Sequence, residues 1–268
     1  MSTDGYFMES EEEAQRLDLK TDPKVVDRHA RWAGLQPGMR VADLGCGSGK
    51  TTFCLSKIAG TKGEVVGIDN SNQRIEFAKK HYSTEKIDYV LADIRSDISR
   101  LGKFDFIWVR FVMEYYGSTA YEIIQNVSKS LNPGGILCLI DLDYNCLTHY
   151  GLPKRLESAI QGIKRTLEKK ADFDPYAGRK LYSYLYDMEY ENIDLSIEAH
   201  HLIFGELNEV DAFNWTKKVE VGGKLSGYPF DDYKGGYEEF YEEFKIVFSH
   251  PRRFTYTPII LCRGKKPN

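Results

Sequence analysis

The chain has 268 residues, of which 42% are apolar and 28% charged, as expected for a globular protein with one sizeable core. The formal net charge is −4 and the basic residues are scattered, so the basic footprint of a nucleic-acid-binding protein is missing. The five cysteines form no C-x-x-C pair, which disfavours a zinc site and a secreted disulfide framework. No apolar run could serve as a signal peptide or cross a bilayer. We therefore expect a cytoplasmic protein without a bound metal, a membrane partner or a nucleic-acid partner.

Short apolar runs alternate with amphipathic segments in the region that begins near Arg40. The apolar runs are continuous, which is typical of strands buried on both faces of a parallel sheet. They are MRVADLG, EVVGIDN, IDYVLADI, FDFIWVRF and GGILCLIDLD. Helices are predicted between them over 49–59, 71–82 and 118–131. Ser71 is a suitable N-cap for the second helix. Repeated strand–helix units predict a doubly wound α/β fold.

The regular alternation ends after the fifth predicted strand. Residues 144–174 are predicted to form an insertion that contains a basic helix, and residues 205–253 form a second insertion. Segment 237–248 of the second insertion has apolar residues at helical spacing, which predicts a docking helix. Between the insertions we expect a helix that begins at Pro175, capped by Asp174. The sixth and seventh strands are predicted in NIDLSIEAHHLI and RFTYTPIILCRGKK.

The glycine-rich turn after the first strand, VADLGCGSGKT, indicates what kind of ligand to expect. A P-loop has the pattern G-x-x-x-x-G-K-S/T, and counting back from Gly49-Lys50-Thr51 its first glycine would fall at Leu44. The dinucleotide pattern G-x-G-x-x-G fails as well, because its third glycine would fall at Lys50. Asp43 at the strand end would also repel phosphate. Ligands held by their phosphates are therefore disfavoured.

The same turn suits a zwitterionic ligand. Gly45 and Gly47 let the backbone turn sharply and approach a ligand closely. The helix that begins near Gly49 points its N–H groups and its positive dipole end at this position, where a carboxylate would be favoured. Asp43 could meet an ammonium group. An amino-acid tail satisfies both requirements.

Acidic residues also end the second and third predicted strands. Asp69 could accept hydrogen bonds from two ribose hydroxyls, as the acidic residue of dinucleotide sites does. Asp93 could accept a hydrogen bond from an adenine amino group, and the Ile94 N–H could reach a ring nitrogen. A ligand with ribose, adenine and an amino-acid tail but no phosphate is S-adenosylmethionine. Its sulfonium and ammonium are cations, so nearby carboxylates stabilise it.

These motifs together resemble those of class I S-adenosylmethionine-dependent methyltransferases of the small-molecule type. They cover roughly residues 38–143 and are VADLGCGSG, VVGIDNS, LADI, FDFIWVRFVMEY and LNPGGILCLIDLD. The resemblance implies a mostly parallel, seven-stranded Rossmann-like sheet whose last strand is antiparallel. It implies that residues 1–37 form a helical arm over the cofactor and residues 38–268 the methyltransferase domain, with both insertions on the substrate side. The implied cofactor contacts are Asp43, Gly45, Cys46, Gly47, Asp69, Asn70, Asp93, Ile94 and the carbonyl region of Arg110. Tyr6 in the N-terminal arm could close the site over the cofactor.

We expect methyl transfer by in-line displacement, with S-adenosylhomocysteine as product. The activated cofactor makes a catalytic triad or a metal unnecessary, so positioning and exclusion of water remain the protein's tasks. His149, which follows the fifth strand, is the candidate base, although a surface histidine is the commoner explanation. The expected acceptor is a small, partly apolar or cationic metabolite. The alternatives are a protein side-chain methyltransferase, or a module that binds S-adenosylmethionine or S-adenosylhomocysteine without turnover.

Overall fold

The predicted strands lie in one continuous sheet. The computed structural model describes residues 11–145 and 148–268. Within them the strands are β1 Arg40–Leu44, β2 Glu64–Asp69, β3 Ile87–Leu91, β4 Phe104–Arg110, β5 Leu131–Leu142, β6 His149–Tyr150, β7 Glu191–Phe204 and β8 Phe254–Lys265. All seven predicted strands are present. The two-residue strand β6, which pairs with the first residues of β8, was not predicted.

The order of the strands is β3-β2-β1-β4-β5-β8, and β7 pairs with the other edge of β8. Strands β1 to β5 pair in parallel, whereas β8 runs antiparallel to both of its long neighbours. The chain builds the sheet outward in both directions from β1, so the strand order reverses between β1 and β4. Ligands of open α/β sheets bind at such a reversal, beyond the carboxyl ends of the strands. The predicted doubly wound fold with an antiparallel last strand is confirmed.

Helices cover both faces of the sheet. Within the described residues they are α1 Glu11–Lys20, α2 Pro23–Ala33, α3 Lys50–Ala59, α4 Asn72–Tyr82, α5 Ala120–Ser128, α6 Lys154–Ala171, α7 Leu181–Asp187, α8 Glu209–Ser226 and α9 Gly236–Ser249. On one face α2 and α3 pack Val26 and Leu55 against the sheet, and on the other α5 and α7 pack Ile124 and Leu181. Among the described residues, none of the helices combines the length and apolar character needed to span a bilayer.

Three helices from the two predicted insertions form a separate layer, which we call the helical layer (α6, α8 and α9). It has its own apolar cluster, in which Leu156, Trp215, Phe240 and Phe244 are almost completely buried. Ile203 near the end of β7 belongs to the same cluster and joins the helical layer to the edge of the sheet. The predicted docking helix at 237–248 corresponds to α9.

The structure corrects two predicted helix boundaries, the first at the end of α5. The helix predicted over 118–131 ends at Ser128, and Leu131 already belongs to β5. Leu131 pairs with Phe104 of β4, so the strand begins before the Asn-Pro-Gly-Gly turn that was expected to stop the helix. Tertiary pairing with the neighbouring strand therefore overrides the local helical pattern.

The second correction concerns the helix expected to begin at Pro175. Helix α7 begins six residues later, at Leu181, after a short 3₁₀ turn. The Asp174 carboxylate does accept a backbone hydrogen bond, but from Tyr176 two residues on, at 3.0 Å. Asp174 thus closes a local turn of the kind that aspartate favours, instead of capping a long helix.

Candidate functional site

A cavity of about 600 Å³, which we call the strand-end cavity, lies at the carboxyl ends of β1 to β4. This is where the strand order reverses. Seven of the predicted contact residues line it: Gly45, Cys46, Gly47, Asp69, Asn70, Ile94 and Arg110. The carboxyl ends of four strands, β1 to β4, therefore converge on one site.

The wall nearest β1 is the main chain of the glycine turn. The N–H of Gly45 donates to the carbonyl of Ile68 at 2.7 Å, which ties the turn to β2. Gly45 has φ +72, and a Cβ there would lie 2.5 Å from Cγ2 of Val112. Gly47 has φ +54, a conformation that other residues adopt only with strain. Gly45 is thus required by the close approach of Val112, and Gly47 by its positive φ.

Asp69 is fixed at the end of β2 before any ligand binds. One carboxylate oxygen accepts the Gly47 N–H at 2.9 Å, and the other accepts the Ser71 N–H at 3.0 Å. Arg74 lies 3.5 Å from the carboxylate, and the side chain of Asp69 is 3% exposed. A carboxylate has about four acceptor positions, so these contacts orient Asp69 and leave capacity for ligand hydroxyls.

Arg110 contributes its side chain to the cavity, whereas the sequence predicted only its carbonyl region. The guanidinium lies 4.2 Å from the centroid of the Phe111 ring. Desolvation lowers the pKa of Arg110 to about 10, against the attraction of Asp43, so the group stays cationic at neutral pH. Its Nε is buried and has no hydrogen-bond partner among the described residues. A buried donor of this kind favours an anionic ligand group.

Two predicted contacts, Asp43 and Asp93, lie outside the residues that line the cavity. Asp43 is 2% exposed and accepts a hydrogen bond from the Thr52 hydroxyl at 2.7 Å. Burial raises the pKa of Asp43 to about 7, although the Thr52 bond and Arg110 oppose the shift. Asp93 is held by the guanidinium of Arg95, with an N–O distance of 2.7 Å. Burial opposes ionisation of Asp93, but the bonds from Arg95 outweigh it and lower its pKa. Direct ligand contacts by these two residues stay predictions.

Helix α1 and the turn after it add Leu17, Lys20 and Thr21 to the wall of the cavity. Burial and the positive charge of Lys218 hold the pKa of Lys20 well below its usual value. These contacts depend on how α1 packs against α4 and α8, and no local pattern in the sequence could have predicted them. Tyr6, predicted to close the site, lies outside the described residues.

His149 lies on β6, where its Nδ1 is 2.8 Å from the Thr255 hydroxyl. Its ring meets that of Trp215 edge-on at 4.9 Å. His149 does not line the strand-end cavity but a second one of about 110 Å³, which we call the helical cavity. Tyr115 lines both cavities. The predicted role of His149 as a base stays a prediction.

Comparison with known families agrees with this geometry. Residues 35–192, more than half of the chain, match the family described as Methyltransferase domain. The chain belongs to this methyltransferase domain family. The resemblance to class I S-adenosylmethionine-dependent methyltransferases is thereby confirmed at the level of family and fold.

Individual relatives match over shorter segments. Demethylmenaquinone methyltransferase of Staphylococcus aureus is 32% identical over 108 residues, which are 40% of this chain and 44% of that protein. Protein-L-isoaspartate O-methyltransferase of Thermotoga maritima is 27% identical over 127 residues, which are 46% of this chain and 40% of that protein. The chain thus spans less than half the length of these curated relatives. A SAM dependent methyltransferase from Aquifex aeolicus has a similar fold, with a TM-score of 0.51 and 15% identity over 96% of this chain and 100% of that one.

Proposed function

We propose that this chain transfers the methyl group of S-adenosylmethionine to a small-molecule acceptor, and that S-adenosylhomocysteine is the product. The observation that carries the proposal is the strand-end cavity, which has a carboxylate at the end of β2 and a guanidinium at the end of β4. These groups complement a nucleoside with an amino-acid tail, and membership of the methyltransferase domain family supports the same chemistry.

In this proposal each residue has a binding task. Asp69 accepts hydrogen bonds from the ribose hydroxyls, and the positive charge of Arg110 attracts the carboxylate of the amino-acid tail. Ile94, which lines the same cavity, contacts the adenine. When bound, S-adenosylmethionine would supply a methyl group already activated by its sulfonium. The residues of the chain then have to orient the reactants and exclude water, and such positioning can lower a barrier by up to roughly 7–11 kcal/mol.

Cys46 bears on the choice of acceptor, because a thiolate in the strand-end cavity would itself be a nucleophile. Burial raises the pKa of Cys46 well above its usual value, and the charges of Asp69 and Asp43 act in the same direction. The thiol therefore stays protonated, and methylation of the protein's own cysteine is suppressed.

The named relatives act on different kinds of acceptor, a demethylmenaquinone in one case and an isoaspartyl protein in the other. We favour a small molecule, because the helical cavity beside the cofactor site is lined mainly by three helices and is only about 110 Å³ in volume. A protein side chain is the second candidate acceptor. The third candidate function is binding of the cofactor without turnover.

We also propose that the protein works in the cytoplasm and does not act on nucleic acid. The cysteines in the described part of the chain, Cys46, Cys54, Cys138 and Cys262, are free and buried. The net charge of −4 gives no electrostatic attraction to a phosphate backbone.

Calorimetric titration with S-adenosylmethionine and S-adenosylhomocysteine tests the binding proposal. We expect Asp69→Ala to weaken binding by about 1.5–3 kcal/mol, or roughly 10- to 150-fold, because it removes charged hydrogen bonds to the ribose. Asp88→Ala, an exposed aspartate on the neighbouring strand β3, is the matched control and should bind normally. Equal affinities in wild type and Asp69→Ala would refute the ribose assignment.

Turnover is tested separately with labelled S-adenosylmethionine. The acceptor panels are reduced quinones, isoaspartyl peptides and a metabolite extract. Label in the first or third panel supports a small-molecule acceptor, whereas label in the peptides alone supports the second candidate. Tight binding of the cofactor without label in any panel would support the non-catalytic reading.

A further inference from the structure

The helical cavity is built by the parts of the chain that the methyltransferase fold itself does not require. Its walls come from α6, α8 and α9, with Ile160, Trp215 and Phe240 among the residues that face it. The wall is almost wholly apolar. An apolar cavity of about 150 Å³ in another protein stays dry and binds benzene, so a cavity of this size suits a ligand about as large as one ring.

The helical cavity adjoins the strand-end cavity. Tyr115, which follows β4, lines both, and its ring lies 5.9 Å from that of Phe173 on the helical side. A molecule in the helical cavity would therefore lie next to the cofactor proposed above. No other side chain is common to the two walls among the described residues.

Gly222 keeps this cavity open. Glycine is unfavourable inside a helix, yet Gly222 lies in the interior of α8. A Cβ at Gly222 would lie 3.8 Å from Cγ2 of Ile163 and 4.0 Å from Cδ1 of Leu167, which are ordinary contact distances. The neighbouring Gly223 differs, because a Cβ there would lie 2.7 Å from Cε2 of Tyr237. Packing thus requires the second glycine, whereas the first one leaves space between α6 and α8.

Lys218 provides the charge at one end of this space. It lies one turn before Gly222 and so faces the same side of α8. Its Nζ donates to Oδ1 of Asn145 at 2.9 Å and lies 5.3 Å from the Trp215 ring. No carboxylate in residues 16–145 and 148–268 pairs with it. Lys164, the other lysine of the cavity wall, pairs with Glu168 at 2.9 Å.

Two acidic residues nearby, Glu114 and Asp141, are buried and line neither cavity, whereas Glu168 and Asp172 line the strand-end cavity. Glu114 is 3% exposed and accepts a hydrogen bond from the Asn145 amide at 2.5 Å. Burial, together with the charge of Glu114, raises the pKa of Asp141 well above its usual value. Lys20 lies on the side of the strand-end cavity and interacts with Lys218. In the wall of the helical cavity, Lys218 is therefore the lysine that has no carboxylate partner among residues 16–145 and 148–268.

We propose that the helical cavity binds the methyl acceptor, and that this acceptor combines an apolar, ring-sized body with an anionic oxygen group held by Lys218. The assignment rests on the methyl transfer proposed above and names its substrate class. The apolar body lies between Ile163 and Gly222, and the anionic group lies toward the cofactor. Lys218 thus selects anionic over neutral or cationic acceptors.

Fluorine NMR titration with 4-fluorobenzoate and its neutral analogue 4-fluorobenzamide tests the charge preference directly, in the presence of S-adenosylhomocysteine. Wild type should bind the benzoate at least about tenfold more tightly than the amide, as expected for a charged hydrogen bond. Lys218→Met should abolish this preference by weakening the benzoate alone. Lys224→Met, on the same helix but paired with Glu220 outside the cavity, should keep it.

Gly222→Ala tests the position of the ring. The added methyl group occupies the space between α6 and α8, so both fluorinated probes should bind at least about fivefold more weakly. The melting temperature should stay constant or rise, because alanine favours the helix. A structural role for Gly222 predicts the opposite thermal result.

The outcomes separate this inference from the proposed function. Equal binding of benzoate and amide, a preference that survives Lys218→Met, or no binding of either probe would overturn the acceptor assignment. S-adenosylhomocysteine should bind wild type, Lys218→Met and Gly222→Ala alike. If S-adenosylhomocysteine binds none of these proteins while the probes bind as predicted, the proposed cofactor is wrong. The assignment of the helical cavity as an anion-binding site is then still supported.

Discussion

The two cavities of this protein are built in different ways. The strand-end cavity is lined by turns that follow parallel strands, and buried or half-buried charged groups such as Asp69 and Arg110 face it. The helical cavity is lined by apolar side chains of three packed helices. The first depends on backbone conformation and fixed charges, and the second on the volume and shape of side chains. Different perturbations should therefore affect the two regions.

Loss of a core side chain in the helical layer should have the largest effect. Phe244 is fully buried against the other aromatic residues of that layer. Phe244→Ala should lower the free energy of unfolding in urea by about 3–5 kcal/mol, because it removes apolar contacts and leaves a cavity. Phe213→Ala on α8, where the ring is 49% exposed, is the matched control and should change the free energy by less than about 0.5 kcal/mol.

The same variant tests whether the two regions are independent. S-adenosylhomocysteine should bind folded Phe244→Ala as it binds wild type, because no wall of the strand-end cavity contains Phe244. A large loss of cofactor affinity in this variant would contradict the separation of the two regions.

Asp43 should make the free energy of unfolding depend on pH. Burial raises its folded-state pKa from the usual 3.8 to about 7. Between these values the folded protein holds a proton that the unfolded chain has lost, so stability falls as the pH rises. Over this range the loss amounts to about 3–4 kcal/mol. Asp43→Asn should remove this contribution.

Urea denaturation between pH 4 and pH 7.5 measures the effect. Relative to wild type, Asp43→Asn should become progressively more stable as the pH rises through this range. Asp88→Asn, which changes an exposed aspartate on β3, should give a constant difference. A constant difference for Asp43→Asn too would show that Asp43 has an ordinary pKa in the folded protein.

The glycine turn of the strand-end cavity should tolerate no side chain. Gly49 has φ +85, and a Cβ there would lie 2.6 Å from Cβ of Ala78. Gly49→Ala should therefore lower the free energy of unfolding by about 2–4 kcal/mol, through backbone strain plus the clash. Gly151 also has φ +85, but no atom of the described chain would lie within 4 Å of its Cβ. Gly151→Ala should cost only the strain, about 1–2 kcal/mol. Equal losses would mean that α4 moves away from the new methyl group.

The different construction of the cavities explains what could be predicted from the sequence. Gly45 and Asp69 were predicted because each follows a buried apolar run, and the turn chemistry at a strand end is local. The Arg110 side chain and Lys20 were missed, since their positions depend on how separate elements pack. His149 was predicted near the substrate, and the path of the chain after β5 places it on β6, in the wall of the helical cavity. Its role as a base stays a prediction.

The helical cavity was harder to predict from the sequence. The pair Gly222-Gly223 inside an otherwise helical segment indicates either close packing or open space. Only the structure shows that Gly223 allows close packing and that Gly222 leaves space. The boundaries of α5 and α7 were wrong for a related reason. Strand pairing at Leu131 and the turn closed by Asp174 compete with helix formation, and both depend on tertiary contacts.

The smallest predicted effect concerns helix N-caps, which differ between the two regions. Helix α3 starts from Gly49 without a capping side chain, whereas α8 begins with Asn208, whose Oδ1 accepts the N–H of Asp211 at 2.8 Å. Asn208→Ala should lower the free energy of unfolding by about 1 kcal/mol, because it leaves that N–H without its partner. Asn208→Gly should cost only a few tenths of a kcal/mol, since glycine is tolerated at this position.

Hydrogen exchange gives the more specific measurement for this helix cap. The first turn of α8 should exchange faster in Asn208→Ala, while amides near Lys218 and Gly222 keep their protection. The fluorinated probes should still bind, because the cavity residues lie two to four turns further along the helix. If Asn208→Ala weakened probe binding as much as Lys218→Met does, α8 would unfold as one unit. The effect of the Lys218 charge on binding could then not be separated from the stability of α8.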